Sequence, residues 1–368
     1  MHFAFTEEQG LIKESVESFL SDWTADGGLR RAATSGGFDL TAWQTLTQQL
    51  GLGGVLVPEA QNGSSLGHVE RSIVMEALGY AQLPVPFFSS CCMATDLLLA
   101  ADDPRFLKEI ALGQMIATAG FLDGPAEGLQ PIIEPKPNDH IHISGRLRNV
   151  PDGGFADLLV IVAQGQDDAL VFAVPTTARG IERLPIDAMD PTRPLMDFMV
   201  DVTVPIDAIV GGQTLPHTKL EAALDKTVIA LAAEQVGIAQ RVLDMTVDYA
   251  KERKQFGRII GSFQAVKHRL ADMMVRAECA RSAAYYAACI ADTDSDELGE
   301  ATAIARITCD EAAFKNAGDA IQMHGGIGFT DEYDLHWFFK RARANTHRLG
   351  SAQMQLGRLS ALVLKEGR

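Results

Sequence analysis

The chain has 368 residues, 47% of them hydrophobic, with 32 Lys+Arg against 48 Asp+Glu and a formal net charge of −16. That length buries a sizeable core and predicts two or three domains. The acidic balance argues against nucleic acid or an anionic membrane as a partner, and no apolar run approaches the roughly 20 residues of a bilayer span.

The N-terminus reads as the start of a helix rather than as a secretory signal. Five cysteines, Cys91, Cys92, Cys279, Cys289 and Cys309, are odd in number and lack metal-ligand spacing. The last three fall in Ala-rich helical patterns, where reduced, buried thiols are expected, and this predicts a cytoplasmic protein without a metal site.

Residues 1–112 read as helical. Thr6-Glu7-Glu8-Gln9 is a capping box that opens a first helix toward Phe19 and Leu20. A second helix is expected over 41–50, stopping at Gly51. Val55 to Glu59 reads as an extended break, and Gly63 and Gly67 mark a loop. Helical spacing returns over 69–82 through Ile73, Val74, Ala77 and Leu78. Leu83-Pro-Val-Pro86 stops it, and two shorter helices end near Gly113. Short-looped helices of this kind make half of a bundle.

From 113 to 213 the period changes. The stretches beginning at Ile141, Leu158, Leu170 and Met199 are rich in β-branched residues and are separated by Gly, Pro, Asn and Asp turns. They predict a small β-barrel or sandwich domain.

From 214 to 368 the chain is helical again. A long element over 220–255 places Val228, Leu231, Ala232, Val236, Ala239, Leu243 and Val247 on one broad stripe. Ser262 is the expected cap of a second helix through Val266, Leu270, Met273 and Ala277, and a third runs over 298–324. The Met and Ala stripes read as ordinary core, and the set as a four-helix bundle and oligomer core. Gly325-Gly326 ends the third helix, and Thr330 is expected to cap another whose first turn carries Asp331 and Glu332. The predicted class is therefore α+β, mainly α.

Two motifs are far more specific than these patterns: Tyr249-Ala-Lys-Glu-Arg253-Lys-Gln-Phe256-Gly257, and QMHGGIGFTDEYDLHWFFKRARANTHRLGSAQMQ from Gln322 to Gln355. Together they resemble the acyl-CoA dehydrogenase family of flavoproteins, and the resemblance covers the whole chain in length and element order. It implies an N-terminal helical domain, a central β-domain and a C-terminal four-helix bundle. In that family FAD lies between the β-domain and the bundle of one subunit, and a neighbouring subunit also grips its diphosphate and adenine end. The acyl-CoA β-carbon gives a hydride to the flavin while a glutamate removes the α-proton.

The resemblance carries over unevenly. Arg253 matches the arginine that reaches a partner's flavin diphosphate, a task suited to a planar, permanently charged fork, and Phe256 matches the phenylalanine beside it. Gln322, Gly325 and Gly326 match the residues that hold the adenosine end. Ser351 and Gln353 match later polar contacts.

The flavin shelf of the β-domain departs from the family. The family's Thr-Glu-Pro-x-x-Gly-Ser-Asp corresponds to Asp123-Gly124-Pro125-Ala-Glu-Gly128-Leu129-Gln130. Pro125 and Gly128 survive, but the hydroxyls have become Asp123 and Leu129. The family's Gly-x-Lys-x-Trp-Ile-Thr corresponds to Gly145-Arg-Leu147-Arg-Asn149-Val150-Pro151. Asn149 replaces the indole and Pro151 replaces a threonine donor.

The catalytic glutamate is missing. Leu349 stands where it belongs, and Thr227 occupies the alternative base position. Glu234 shares a helix face with Thr227 but lies seven residues on, about 10 Å along the axis, and reads as a carboxylate at a helix or subunit contact. The expectation is a base-lacking subunit of a heteromeric, α2β2-like dehydrogenase of bulky or steroid-derived acyl-CoA. It lends flavin contacts to a homologous catalytic subunit, with electron-transfer flavoprotein as acceptor. The alternatives are a self-sufficient homotetramer with an unusual base such as Glu234, and a flavin-free CoA-thioester binding or scaffold protein.

Overall fold

The first helix opens as the polar run Thr6–Gln9 dictates. In the computed structural model Thr6 accepts from the Gln9 amide (3.2 Å), and the Gln9 side chain accepts from the Thr6 amide (3.0 Å). The structure describes residues 5–366 apart from 126, 128, 166, 167 and 294; Gly128 therefore lies outside the described residues.

After that box come α1 (Glu7–Ala25), α2 (Gly28–Thr34) and α3 (Leu40–Gln44). The helix expected over 41–50 is α-helical only in its first half; Thr45–Gln49 widens into a π-turn. Residues 55–59 form no strand. Val55 is helical in backbone and the segment bends between 3-10 turns, burying Val55 and Val57. Next are α4 (His68–Ala81), a π-helical run Phe87–Ala94 that continues into α5 (Thr95–Ala100), and α6 (Leu107–Ala111).

Eight strands follow: β1 (Ala117–Asp123), β2 (Ile132–Lys136), β3 (His140–Pro151), β4 (Leu158–Gln164), β5 (Asp168–Pro175), β6 (Ile181–Ile186), β7 (Leu195–Pro205) and β8 (Leu215–Pro216). The remainder is α7 (His217–Glu252), the hairpin β9 (Lys254–Gln255) and β10 (Arg258–Ile259), then α8 (Gln264–Ala291), α9 (Leu298–His324), α10 (Leu335–Asn345) and α11 (Ala352–Glu366). The fold is mainly α with a central sheet, as predicted.

Three helix ends differ from expectation. α7 stops at Glu252 because Lys254 and Gln255 pair as a strand. Ser262 does not cap α8; its hydroxyl donates to Ile259 O (2.7 Å), and the helix begins at Gln264 behind Phe263. Thr330 caps no helix either. Asp331 and Glu332 lie in turns, and α10 starts only at Leu335, where the buried Leu335 and Phe338 begin its apolar face.

By packing, the chain groups into two compact units. One comprises residues 36–66 and 84–227, the other residues 1–35, 67–83 and 228–368.

In the first unit the sheet order is β6-β7-β3-β1-β4-β5-β8, with β2 on β3. β1 runs parallel to β4 through Ala117–Phe121 and antiparallel to β3 through Leu122 and Asp123. Inward side chains of both halves, among them Ile143, Leu147, Leu159, Ile161, Phe172, Phe198 and Val200, then meet in one core. β1 itself, Ala-Thr-Ala-Gly-Phe, was not predicted because its small residues carry little β propensity. It is a strand because it sits at the sheet's centre. Trp43 is buried here and donates Nε1–H to Gly113 O (3.2 Å).

In the second unit α7 is buried on every side from Val228 to Ala239, not along a stripe alone. It crosses α4 with backbones in near contact. A Cβ on Gly237 would lie 2.0 Å from Glu76 O, and one on Gly79 would lie 2.1 Å from Glu234 O. The N-terminus of α4 receives Asp292, whose carboxylate accepts from the His68 (2.6 Å) and Val69 (3.4 Å) amides. α9 packs on α8, α10 and α11. Of the three cysteines expected to be buried, Cys309 is; Cys279 is exposed and Cys289 half-buried, because they face outward on α8.

Gly237→Ala is expected to cost about 1–3 kcal/mol, since the crossing leaves no room for a methyl group. Gly318→Ala on α9, where nothing lies within 4 Å, should be neutral or stabilising by about 0.5–1 kcal/mol. Urea unfolding of the two variants checks the pair.

Candidate functional site

The sequence after α7 builds a short projecting hairpin. Arg258 pairs with Gln255 and Ile259 with Lys254, and the two residues between them, Phe256 (φ +53°) and Gly257 (φ +75°), are both left-handed. This is the two-residue turn whose twist suits a tight hairpin. A left-handed phenylalanine is costly, and here it sets the ring outward: Phe256 is 91% exposed. Arg253 stands at the hairpin's base, its amide closing the last turn of α7 on Tyr249 O (2.9 Å). Its exposed guanidinium makes no hydrogen bond or ion pair among the described residues.

A second exposed element lies beside the end of α7. α9 ends at His324; Gly325 takes φ +66°, ψ −142°, a conformation reserved for glycine, and a 3-10 turn runs to Phe329. Gly325 and Gly326 are exposed, with no atom within 4 Å of where a Cβ would stand. Gln322 is exposed one turn earlier.

The two elements are joined by residues to which the sequence reading assigned no role. Tyr249 stacks on His324 (centroids 4.2 Å apart, 24° between planes) and its hydroxyl donates to His324 O (3.3 Å). Tyr333 covers His324 at 4.9 Å. Tyr249 lies four residues before Arg253, and His324 one before Gly325, so this stack ties the arginine to the glycines. The one available signal was the presence of both rings inside the two motifs.

Ser351 and Gln353 lie elsewhere, at the start of α11. The Ser351 hydroxyl accepts from the Met354 amide (3.4 Å), and Gln353 is exposed. Leu349 precedes them in a left-handed conformation (φ +54°). That turn is held from below by Arg306, fully buried, which donates to Asn345 O and to Arg348 O (2.9 Å). Arg306 also faces Asp310, with Nε and Oδ2 3.0 Å apart but out of line for a hydrogen bond. Burial pushes Arg306 down and Asp310 up from their ordinary pKa values. Gln235 donates to Asp310 (2.9 Å).

Glu234 belongs to this buried network. It is 1% exposed and accepts from Arg341 Nη1 (2.8 Å) and Asn345 Nδ2 (2.9 Å), with Arg341 equally buried. Such a paired carboxylate ties α7 to α10. Removing either member of a buried pair costs about 3–5 kcal/mol. Thr227 is also buried. Its hydroxyl donates to Asp96 Oδ2 (2.8 Å) and lies 3.1 Å from Ala223 O.

In the β-unit, Asn149 sits in a bulge of β3 between Leu147 and Val150, left-handed (φ +53°) and exposed. Its amide donates to Asp197 Oδ1 (2.7 Å). Pro151 offers only its carbonyl, which takes the Thr118 hydroxyl (2.7 Å). Leu129 is exposed and Asp123 lies 3.5 Å from Arg148.

Residues 6–103 match the N-terminal domain of acyl-CoA dehydrogenases and residues 219–364 the C-terminal domain. A Mycobacterium tuberculosis acyl-CoA dehydrogenase, IpdE2, is 33% identical over 97% of this chain and 98% of its own length. The chain belongs to the acyl-CoA dehydrogenase family. Members of this family bind FAD. Among solved structures, a variant of the Tcur3481–Tcur3483 steroid ACAD superposes with a TM-score of 0.86 at 28% identity, covering 98% of this chain and 99% of that one. The Mycobacterium tuberculosis ChsE4–ChsE5 complex gives 0.88 at 25% identity, covering 99% of each. Among the described residues no helix is long and apolar enough to cross a membrane.

Burial holds the His324 imidazole below its usual pKa. The unfolded chain therefore binds the proton more readily, and stability contributed by neutral His324 is complete above about pH 6.5 and declines as pH falls below it. His336 is shifted the same way by burial and by nearby Lys340. His324→Gln should flatten, without abolishing, the fall in unfolding free energy between about pH 7 and pH 5. Urea titrations at several pH values measure that slope.

Proposed function

We propose that this chain is the non-catalytic subunit of a heteromeric, FAD-dependent acyl-CoA dehydrogenase that desaturates a bulky, steroid-type acyl-CoA thioester. One asymmetry carries the reading. The parts that face outward are intact and free to engage a neighbour, while the positions that should hold a base, Leu349 and Thr227, cannot ionise near neutral pH.

The outward half fits a flavin dinucleotide. Among the described residues Arg253 makes no hydrogen bond or ion pair, so its fork is available to a diphosphate, and Phe256 stands beside it. Gly325 and Gly326 present exposed backbone with open space where a Cβ would stand, which lets a ligand approach the bare chain and suits the adenosine end together with Gln322. The inward half fits poorly. Asn149 offers no indole and has its backbone N–H engaged, Pro151 has no N–H, and of the later contacts Ser351 caps its own helix while Gln353 makes no hydrogen bond among the described residues. When bound, FAD supplies a hydride acceptor. This chain's part is to orient the shared dinucleotide for a homologous subunit that carries the glutamate. A base at that position is worth roughly 10²–10⁴ in rate.

The likeness to the ChsE4–ChsE5 complex and to a steroid ACAD supports both the mixed assembly and the bulky substrate. The proposed domains are 1–112, 113–213 and 214–368, with the last as flavin-sharing and oligomer core. Electron-transfer flavoprotein is the acceptor and the cytoplasm the site of action.

A self-sufficient enzyme is the second reading, and one observation favours it: Asp96, 3% exposed, lies within hydrogen-bond reach of Thr227. Co-expression with the homologous subunit decides between them. Arg253→Ala should lower bound flavin per complex several-fold, and Leu349→Ala should leave turnover within about twofold of wild type. The chain alone should turn over at least about a hundredfold more slowly than the complex. A lone chain with full rate, abolished by Asp96→Asn, would establish the second reading instead.

A further inference from the structure

A cavity of about 640 Å³ opens among α1, α4, α7 and α8, within the unit that contains all four, and no residue assigned above to flavin or proton transfer lines it. The volume is that of sites for small organic ligands. Its floor is apolar, formed by Leu20, Ile73, Ala77 and Ala81, each under 7% exposed. Tyr80 and Tyr285 stand as aromatic walls.

The charges on its walls are mostly spent on one another. Lys13 pairs with Glu17. Arg281 donates to Glu76 (3.0 Å), to Gln240 (2.9 Å) and to Glu278. Asp244 accepts from the Tyr80 hydroxyl (3.0 Å) and Gln240 Nε2 (2.8 Å), which use one oxygen each. Arg241 is different. It lines the cavity, its guanidinium carbon lies 5.1 Å from the Tyr80 ring centroid, and among the described residues no carboxylate approaches it within the 4.0 Å of an ion pair. Among the described residues it is the wall cation left without an ion-paired carboxylate.

We infer that this cavity binds a small amphipathic monocarboxylate, its apolar body on the Leu20–Ile73–Ala77–Ala81 floor and its carboxylate on Arg241. A half-buried guanidinium over an aromatic face holds a carboxylate through two parallel hydrogen bonds, and the apolar floor gains from losing water. Asp244, Glu17 and Glu76 oppose a second negative charge, which selects a monoanion. The inference is independent of which subunit performs the dehydrogenation.

Isothermal titration of the full chain, with its partner subunit where the two are co-expressed, tests it with decanoate and with decanol as the uncharged counterpart. Decanoate should bind at least about tenfold more tightly than decanol, and Arg241→Gln should erase that difference while leaving decanol affinity unchanged. Retained decanol binding shows that the variant is folded. Ser21→Trp, at the exposed rim, should block both ligands, and flavin content should not change in either variant. Absence of decanoate binding, equal affinity for the two ligands, or decanoate binding indifferent to Arg241→Gln and Ser21→Trp would each overturn the assignment.

Discussion

The unit built around α7 depends on charges that have nowhere to go but toward one another. Because α7 is buried on every side from Val228 to Ala239, Glu234 and Gln235 cannot reach water. Each must therefore find a protein partner. Glu234 meets Arg341 and Asn345, and Gln235 meets Asp310 and the Ala342 carbonyl. Buried pairs of this kind add little net stability over an apolar core, but a displaced partner leaves a charge stranded. The rotation and axial position of α10 against α7 are thereby narrowly constrained. Arg306 extends the constraint by collecting the Asn345 and Arg348 carbonyls at the end of α10. The turn bearing Leu349 is anchored through that chain of contacts, although no carboxylate occupies it.

Close approach of α4 and α7 is the apolar counterpart. Gly79 and Gly237 let each backbone rest on the other's helix, so that the methyl-sized gap a larger residue would need does not exist. Polar pairing on one side of α7 and glycine contact on the other leave this helix little freedom to shift. Its last turn then projects the hairpin from a fixed base. Tyr249 stacked on His324 fixes the glycine turn at the same end, so Arg253 and Gly325 present together because their anchoring rings do. What faces outward here is preorganised, so that engaging a ligand there would cost little further ordering.

Local chemistry was legible without the fold. The capping box at Thr6, the length of α9 and its stop at Gly325, the four strongest strands, and both motifs were each written in a few adjacent residues. Where the reading failed, a distant contact had overruled a local signal. Thr330 followed by two acids looks like a helix start, yet α10 waits for Leu335, where the buried face begins. Ser262 turned back to Ile259 instead of capping α8. β1 was missed because its place at the sheet's centre, not its composition, makes it a strand.

The sequence by itself determined the family, the mainly α class with its central sheet, and the chemical inventory of the site: which positions have a guanidinium, a bare backbone or no ionisable group. Those are properties of residue identity and short spacing, and no folding is needed to express them. Only the tertiary structure decided that Glu234 is a buried tie and that Tyr249 and His324 bind two remote motifs into one presenting surface. It alone also decided that Arg241 faces a cavity with no ion-paired carboxylate among the described residues. The reason is that pairing, burial and exposure belong to neighbours brought together from far along the chain, and a carboxylate or an arginine looks the same in sequence whether its partner is present or absent.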